Sequence, residues 1–204
     1  MNKQIRRGLV AAVSVATLAL AACSADHPAG MGHDGGTPSS PGAGASGPAS
    51  VAKSPADIMF VTMMIPHHQQ AVEMSDLLLA KSGVDADVRK LAEQIKAAQQ
   101  PEIDQMKSWL TDWGIDDSHM GAMDHSDHMG GMLSKEELDK LRKADGPTGQ
   151  RLYLKGMIEH HQGAIDMANN VLEAGQNPDV EKLAQEIVTS QQAEITEMNK
   201  MLDR

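Results

Sequence analysis

One eleven-residue pattern, occurring twice, constrains this chain more than any other feature. Met64-Ile65-Pro66-His67-His68-Gln69-Gln70-Ala71-Val72-Glu73-Met74 returns ninety-three positions later as Met157-Ile158-Glu159-His160-His161-Gln162-Gly163-Ala164-Ile165-Asp166-Met167. A pattern repeated at this length implies two copies of one supersecondary unit. Residues three, four and seven apart share a helix face. Phe60, Met64, His67, Ala71 and Met74 therefore form one stripe, and Tyr153, Met157, His160, Ala164 and Met167 its twin. His68 and His161 fall on the neighbouring stripe with Ile65, Val72, Ile158 and Ile165. Both histidines of each pair thus sit on or beside a face that must be buried.

The repeat extends beyond the motif. With a one-residue shift at the turn, Leu91, Ile95, Gln99, Gln100, Glu102, Ile103, Met106 and Leu110 fall on Leu183, Ile187, Gln191, Gln192, Glu194, Ile195, Met198 and Leu202. Helix signals frame both copies. Ser54-Pro55-Ala56-Asp57 offers a cap, a first-turn proline and an acid, opening a helix to about Lys81 that Gly83 stops. Asp85 is placed to cap a second helix through Asp112, and Gly114 breaks the pattern. Ser134-Lys135-Glu136-Glu137 predicts a short helix to Lys143, which Gly146-Pro147 ends. A long helix is expected from Thr148 to Ala174, stopped by Gly175, and Asn177-Pro178 starts the last one. Two hairpins (repeat one 54–112, repeat two 148–204) joined by a crossing segment (113–147) predict an all-α, ferritin-like four-helix bundle.

Residues 1–22 have the form of an export signal. Lys3, Arg6 and Arg7 precede an uncharged, mostly apolar stretch from Leu9 to Ala22, too short to favour a spanning helix. Leu20-Ala21-Ala22-Cys23 resembles a bacterial lipobox, which implies cleavage before Cys23 and lipid on its thiol. The expected location is the outer face of the bacterial cytoplasmic membrane, or the periplasm or outer membrane, according to envelope type. Residues 23–53, rich in Gly, Pro, Ser and Ala, read as a flexible tether, with His27, Met31 and His33 as loose candidate ligands. A single cysteine excludes an internal disulfide. Removing the signal takes three positive and no negative charges, moving the net charge from -10 to -13. That acidity argues against nucleic acid or anionic lipid as the main partner.

The residue types of the duplicated stripe point to metal chemistry. Thioether and neutral imidazole are soft-to-intermediate donors without charge, a set that suits Cu(I) better than Mg, Ca or Mn. Zinc more often takes Cys, His or carboxylate. Di-iron bundles use Glu-x-x-His, which is absent here, although Glu73, Asp166, Glu102 and Glu194 leave a carboxylate-containing site open. Copper leads, with iron and zinc behind. Gln99, Glu102, Gln191 and Glu194 on the partner helices are expected to support the histidines. The competing reading is a packed polar layer in which these groups satisfy each other. Pro66 and Pro101, where the second copy has Glu159 and Ala193, are expected to kink their helices. A second candidate cluster, His119, Met120, Met123, His125, His128, Met129 and Met132, falls in a Gly- and Asp-rich stretch of the crossing segment.

Met-Ile-x-His-His-Gln-x-Ala-x-x-Met, present twice, resembles the ferritin-like domain-of-unknown-function family 305, over Phe60 to Leu202. The resemblance implies an exported four-helix domain. For some members, periplasmic copper-binding proteins among them, it implies Cu(I) or Ag(I) held by methionine and histidine. That role carries onto Met64, His67, His68, Met74, Met157, His160, His161 and Met167. The expectation is a lipid-anchored binding protein for copper sequestration, resistance or transfer, with metal ions and an unidentified transfer protein as partners. Two alternatives stand beside it: a metal-dependent oxidase acting on Cu(I) or Fe(II), and a structural or interaction bundle. Since imidazole ligands must be neutral, binding is expected to weaken below about pH 6.5.

Overall fold

The computed structural model describes residues 53–116 and 130–204, all within one compact unit. Five helices follow in order: α1 (Pro55–Leu79), α2 (Ala86–Asp112), α3 (Lys135–Lys143), α4 (Gly146–Ala174) and α5 (Pro178–Leu202). No strand occurs among the described residues. α1 packs along α2, α4 along α5, and the two pairs meet through α1 and α4, with α3 laid against both.

Side-chain caps set most of the helix starts. The Ser54 hydroxyl accepts the Asp57 amide, and the Asp57 carboxylate accepts the Ser54 amide in return. Asp57 is buried and also accepts the Gln176 amide at 3.2 Å, tying the start of α1 to the α4–α5 turn. Asn177 caps α5 through Asp179 and Val180. Two starts depart from expectation. Gly146 and Pro147 do not end α3. They form the first turn of α4, because Asp145 accepts the Thr148 amide at 2.8 Å and caps that helix instead. Asp85 precedes α2 but makes no capping bond, since its carboxylate accepts from Gln150 of α4. α1 and α2 run on through Pro66 and Pro101.

The apolar interior falls into two parts. One gathers Phe60, Met64 and Ile65 of α1, Ile103 and Met106 of α2, Ala164 and Ala168 of α4, and Leu183 and Ile187 of α5. The other gathers Met74 and Leu78, Leu91 and Ile95, Tyr153 and Met157, and Ile195 and Met198 from the same four helices. Fully burying one large side chain contributes about 1.5–3 kcal/mol, so either half is a core in its own right. On each of these four helices the boundary between the halves falls at the same kind of residue: His67–His68, Gln99, His160–His161 and Gln191.

Candidate metal centre

These six residues form one buried polar layer across the middle of the bundle. All four histidines have 0% exposure, and Gln99 and Gln191 each have 3%. The helical stripe forces this, because His67 and His160 continue the buried line that carries Met64 and Met157 one turn earlier. The His67 and His160 rings lie with centroids 3.7 Å apart, tilted by 38°. His68 and His161 sit to either side and reach outward. With a carboxylate accepting, His68 donates from Nε2 to Glu102 at 2.8 Å, and His161 donates from Nε2 to Glu194 at 2.6 Å. Both glutamates are about one-fifth exposed, at the rim of the layer. The His67 Nε2 faces the Gly130 carbonyl oxygen at 3.4 Å. A carbonyl can only accept, so this nitrogen carries the proton as well.

The same nitrogen is left over in each of these three rings. Nδ1 of His67, His68 and His161 is buried without a hydrogen-bond partner among the described residues, as are both ring nitrogens of His160. The other such atoms are Oε1 and Nε2 of Gln99 and Oε1 of Gln191. Every buried side-chain polar atom lacking a partner among the described residues therefore belongs to this layer. Each costs about 1–3 kcal/mol if left so, a large charge against a domain stable by roughly 5–15 kcal/mol. Acceptor atoms outnumber donor atoms among them by six to two, a surplus that a donor or a cation could satisfy.

Burial governs the protonation of the central pair. It pushes His67 down to about 3, with His68 adding to the shift, the Gly130 carbonyl opposing it and His161 adding a little more. His160 is held well below its ordinary value by burial, then by His67, His161 and His68, with a contact to the His67 backbone opposing the shift. Two imidazoles this close and this dry stay neutral. The expected weakening of ligation near pH 6.5 therefore does not carry over to them: desolvation keeps their lone pairs free well below that pH. No group of three or more His, Cys, Asp or Glu among the described residues is arranged as a ready metal cage. The layer offers a close, tilted imidazole pair with single imidazoles beside it.

The methionines divide around the layer. Met64 lies in one apolar half, Met74 and Met157 in the other, all fully buried. Met167 is half-buried and lines a surface groove with Met59 and Met63. Of the second cluster, His119, Met120, Met123, His125, His128 and Met129 lie outside the described residues, as do Cys23, His27, Met31 and His33. Met132 is half-buried in the strap that precedes α3.

That strap, Gly130 to Leu133, is the part of the site that sequence reasoning missed. Gln70 holds it by both amide atoms, donating to the Leu133 carbonyl at 2.9 Å and accepting the Leu133 amide at 2.7 Å. On the other helix, Gly163 leaves room for it: a Cβ there would lie 1.8 Å from the Gly130 oxygen. Gln70 and Gly163 hold the same place in the two motif copies. Their difference was the available signal, since the strap crosses one repeat by hydrogen bonds and the other by close approach.

Fold and layer together define an all-helical bundle that buries paired histidines between two apolar halves. The chain belongs to the family described as Domain of unknown function (DUF305), whose model matches residues 57–202. An uncharacterised protein of Acanthamoeba polyphaga mimivirus is 47% identical over 51 residues, a match spanning 25% of this chain and only 34% of that protein. A DUF305 protein of Streptomyces coelicolor, provisionally described as secreted, is similar at 34% identity and a TM-score of 0.66, covering 72% of this chain and 92% of that one. CopM in its Cu(II)-bound form is similar at 33% identity and a TM-score of 0.63, over 72% of this chain and 95% of CopM. CopM structures in Cu(I)-bound and Ag-bound forms are also similar. Among the described residues, no helix is long and apolar enough to cross a membrane.

Proposed function

We propose that this protein binds Cu(I) or Ag(I) in its buried histidine layer, as a lipid-anchored protein outside the cytoplasm that sequesters copper or passes it on. The observation that carries the reading is the set of buried, partnerless Nδ1 atoms whose rings are fixed from the opposite nitrogen. Histidines that ligate metals characteristically donate their other N–H to a carboxylate or backbone carbonyl. Glu102, Glu194 and Gly130 stand in those positions here. Neutral donors in a dry layer suit a soft monovalent ion, which brings little charge to desolvate and accepts few ligands. Met64 and Met157, one turn away on either side, extend the donor set. CopM's copper- and silver-bound forms support the same metals for this chain.

Export and lipidation rest on the basic n-region, the apolar stretch and Cys23, and on the secretion ascribed to the Streptomyces relative. Competition of the purified domain against a Cu(I) chelator tests the central claim. Tight binding is expected, with a loss of at least tenfold in His67→Gln and in His161→Gln. Equal affinity in both variants, with their folds intact, would overturn it.

A further inference from the structure

Among the described residues, Met59 is the large hydrophobic side chain that stands exposed, at 59%. Methionine is ordinarily a pliable filler of cores, and at this position there is no core to fill. Met63 follows four residues later, on the same face of α1, and Met167 comes across from α4. All three line one surface groove of about 330 Å³ with Phe60 and Asn170. None of the groove's lining residues is charged.

We propose that Met59, Met63 and Met167 form a second, surface site for a soft monovalent cation, Cu(I) or Ag(I), held by thioether sulfurs. The donor set selects the ligand. Thioethers favour Cu(I)-like ions, whereas Mg and Ca require carboxylate or carbonyl oxygens. Two sulfurs from successive turns of one helix and a third from the facing helix can close on an ion by rotation of flexible side chains, with no movement of backbone. Thioethers do not take up protons in the physiological range, so this site needs no buried, neutralised group to function. Its neighbours also lead inward. Met63 adjoins Met64, which lies in the apolar half directly above His67, and Met167 lies two turns along α4 from His160. An ion held in the groove would be close to the layer without being part of it. The assignment stands whether or not the layer binds metal.

The test follows the methionine methyl resonances of the 13C-methyl-labelled domain during Ag(I) titration, assigned by single Met→Leu substitutions. Imidazole nitrogen signals in the same samples report the layer separately. Resonances of Met59, Met63 and Met167 are expected to move together and saturate at one equivalent. Met63→Leu is expected to abolish the response of the other two and to lower silver stoichiometry by one, with the imidazole response unchanged. Leucine is close in volume, so the fold is retained. Methyl signals that stay fixed in excess silver, or that move independently of one another, would overturn the assignment. Signals that follow protein dilution instead of silver would do so too, making the groove a self-association surface.

Discussion

Gly163 faces the carbonyl of Gly130 so closely that a methyl group on it would lie 1.8 Å from that oxygen. Gly131 is nearly as tight against α4, with a Cβ position 2.2 Å from the Glu159 oxygen and a φ of +84° that favours glycine. The strap is thus seated backbone to backbone over the second motif. Gly163→Ala should lift it, withdraw the Gly130 carbonyl from His67 and destabilise the domain by about 1–3 kcal/mol. Gly156 on the same helix meets only the Leu133 side-chain tip, at 3.1 Å. Gly156→Ala should be neutral or stabilise by up to about 1 kcal/mol through helix propensity. Urea midpoints compare the two, and equal effects would refute the seating argument.

Gln70 anchors the other side of the strap. Gln70→Ala leaves the Leu133 amide and carbonyl without their partner, and each lost bond costs about 1–3 kcal/mol where water cannot replace it. Amide exchange at Leu133 should accelerate well beyond any change at Ile95 or Ile187, which lie in the two core halves. Uniform acceleration across the bundle would show that Gln70 supports global stability rather than the strap.

The rim glutamates should matter for metal affinity more than for folding. Glu102→Gln and Glu194→Gln keep size and a hydrogen-bonding oxygen but remove the charge that makes His68 and His161 better donors. Losing such an outer partner typically costs about 10–100-fold in metal affinity. Chelator competition should find that loss with little change in thermal midpoint, and an unchanged affinity would place the glutamates outside the metal's influence.

Much of this was legible before the structure, for identifiable reasons. Ser54, Ser134 and Asn177 announce helix starts because capping is local chemistry between neighbours in sequence. The polar layer was legible because duplication set His67–His68 and Gln99 in the same phase as His160–His161 and Gln191. Asp85 and Asp145 show where local reading ends: a long-range partner, Gln150, diverts Asp85 from its expected cap, while Asp145, not singled out in the sequence, caps α4. Met167 shows a different limit. Its stripe points inward at His160, but further along α4 the buried line runs through Ala164, Ala168 and Val171, and Met167, to one side of it, emerges in a groove. The strap was invisible because its contacts are to backbone, which has no sequence signature beyond the glycines that permit it.

Acid should destabilise the metal-free bundle over an unusually wide range. An unfolded histidine takes up its proton near pH 6.5, whereas His67 in the fold resists protonation to about 3, and His160 is likewise held well below its ordinary value. Below about pH 6.5 the unfolded chain therefore binds protons that the folded chain refuses. Stability falls as pH falls through this window, by at most about 1.4 kcal/mol per pH unit for each such ring. The loss begins at the unfolded value and ends only when the folded ring protonates, near 3 for His67. Denaturant melts of the metal-free domain from pH 7 to pH 4 should show this slope, and His160→Gln should make it shallower by removing one proton from the unfolded side. Silver should raise the midpoint by a similar amount across the same interval and leave the slope in place, because it binds the folded state alone and displaces no proton from rings that are already neutral. A pH-independent midpoint in the metal-free protein would mean that the central imidazoles are wetter than their burial implies.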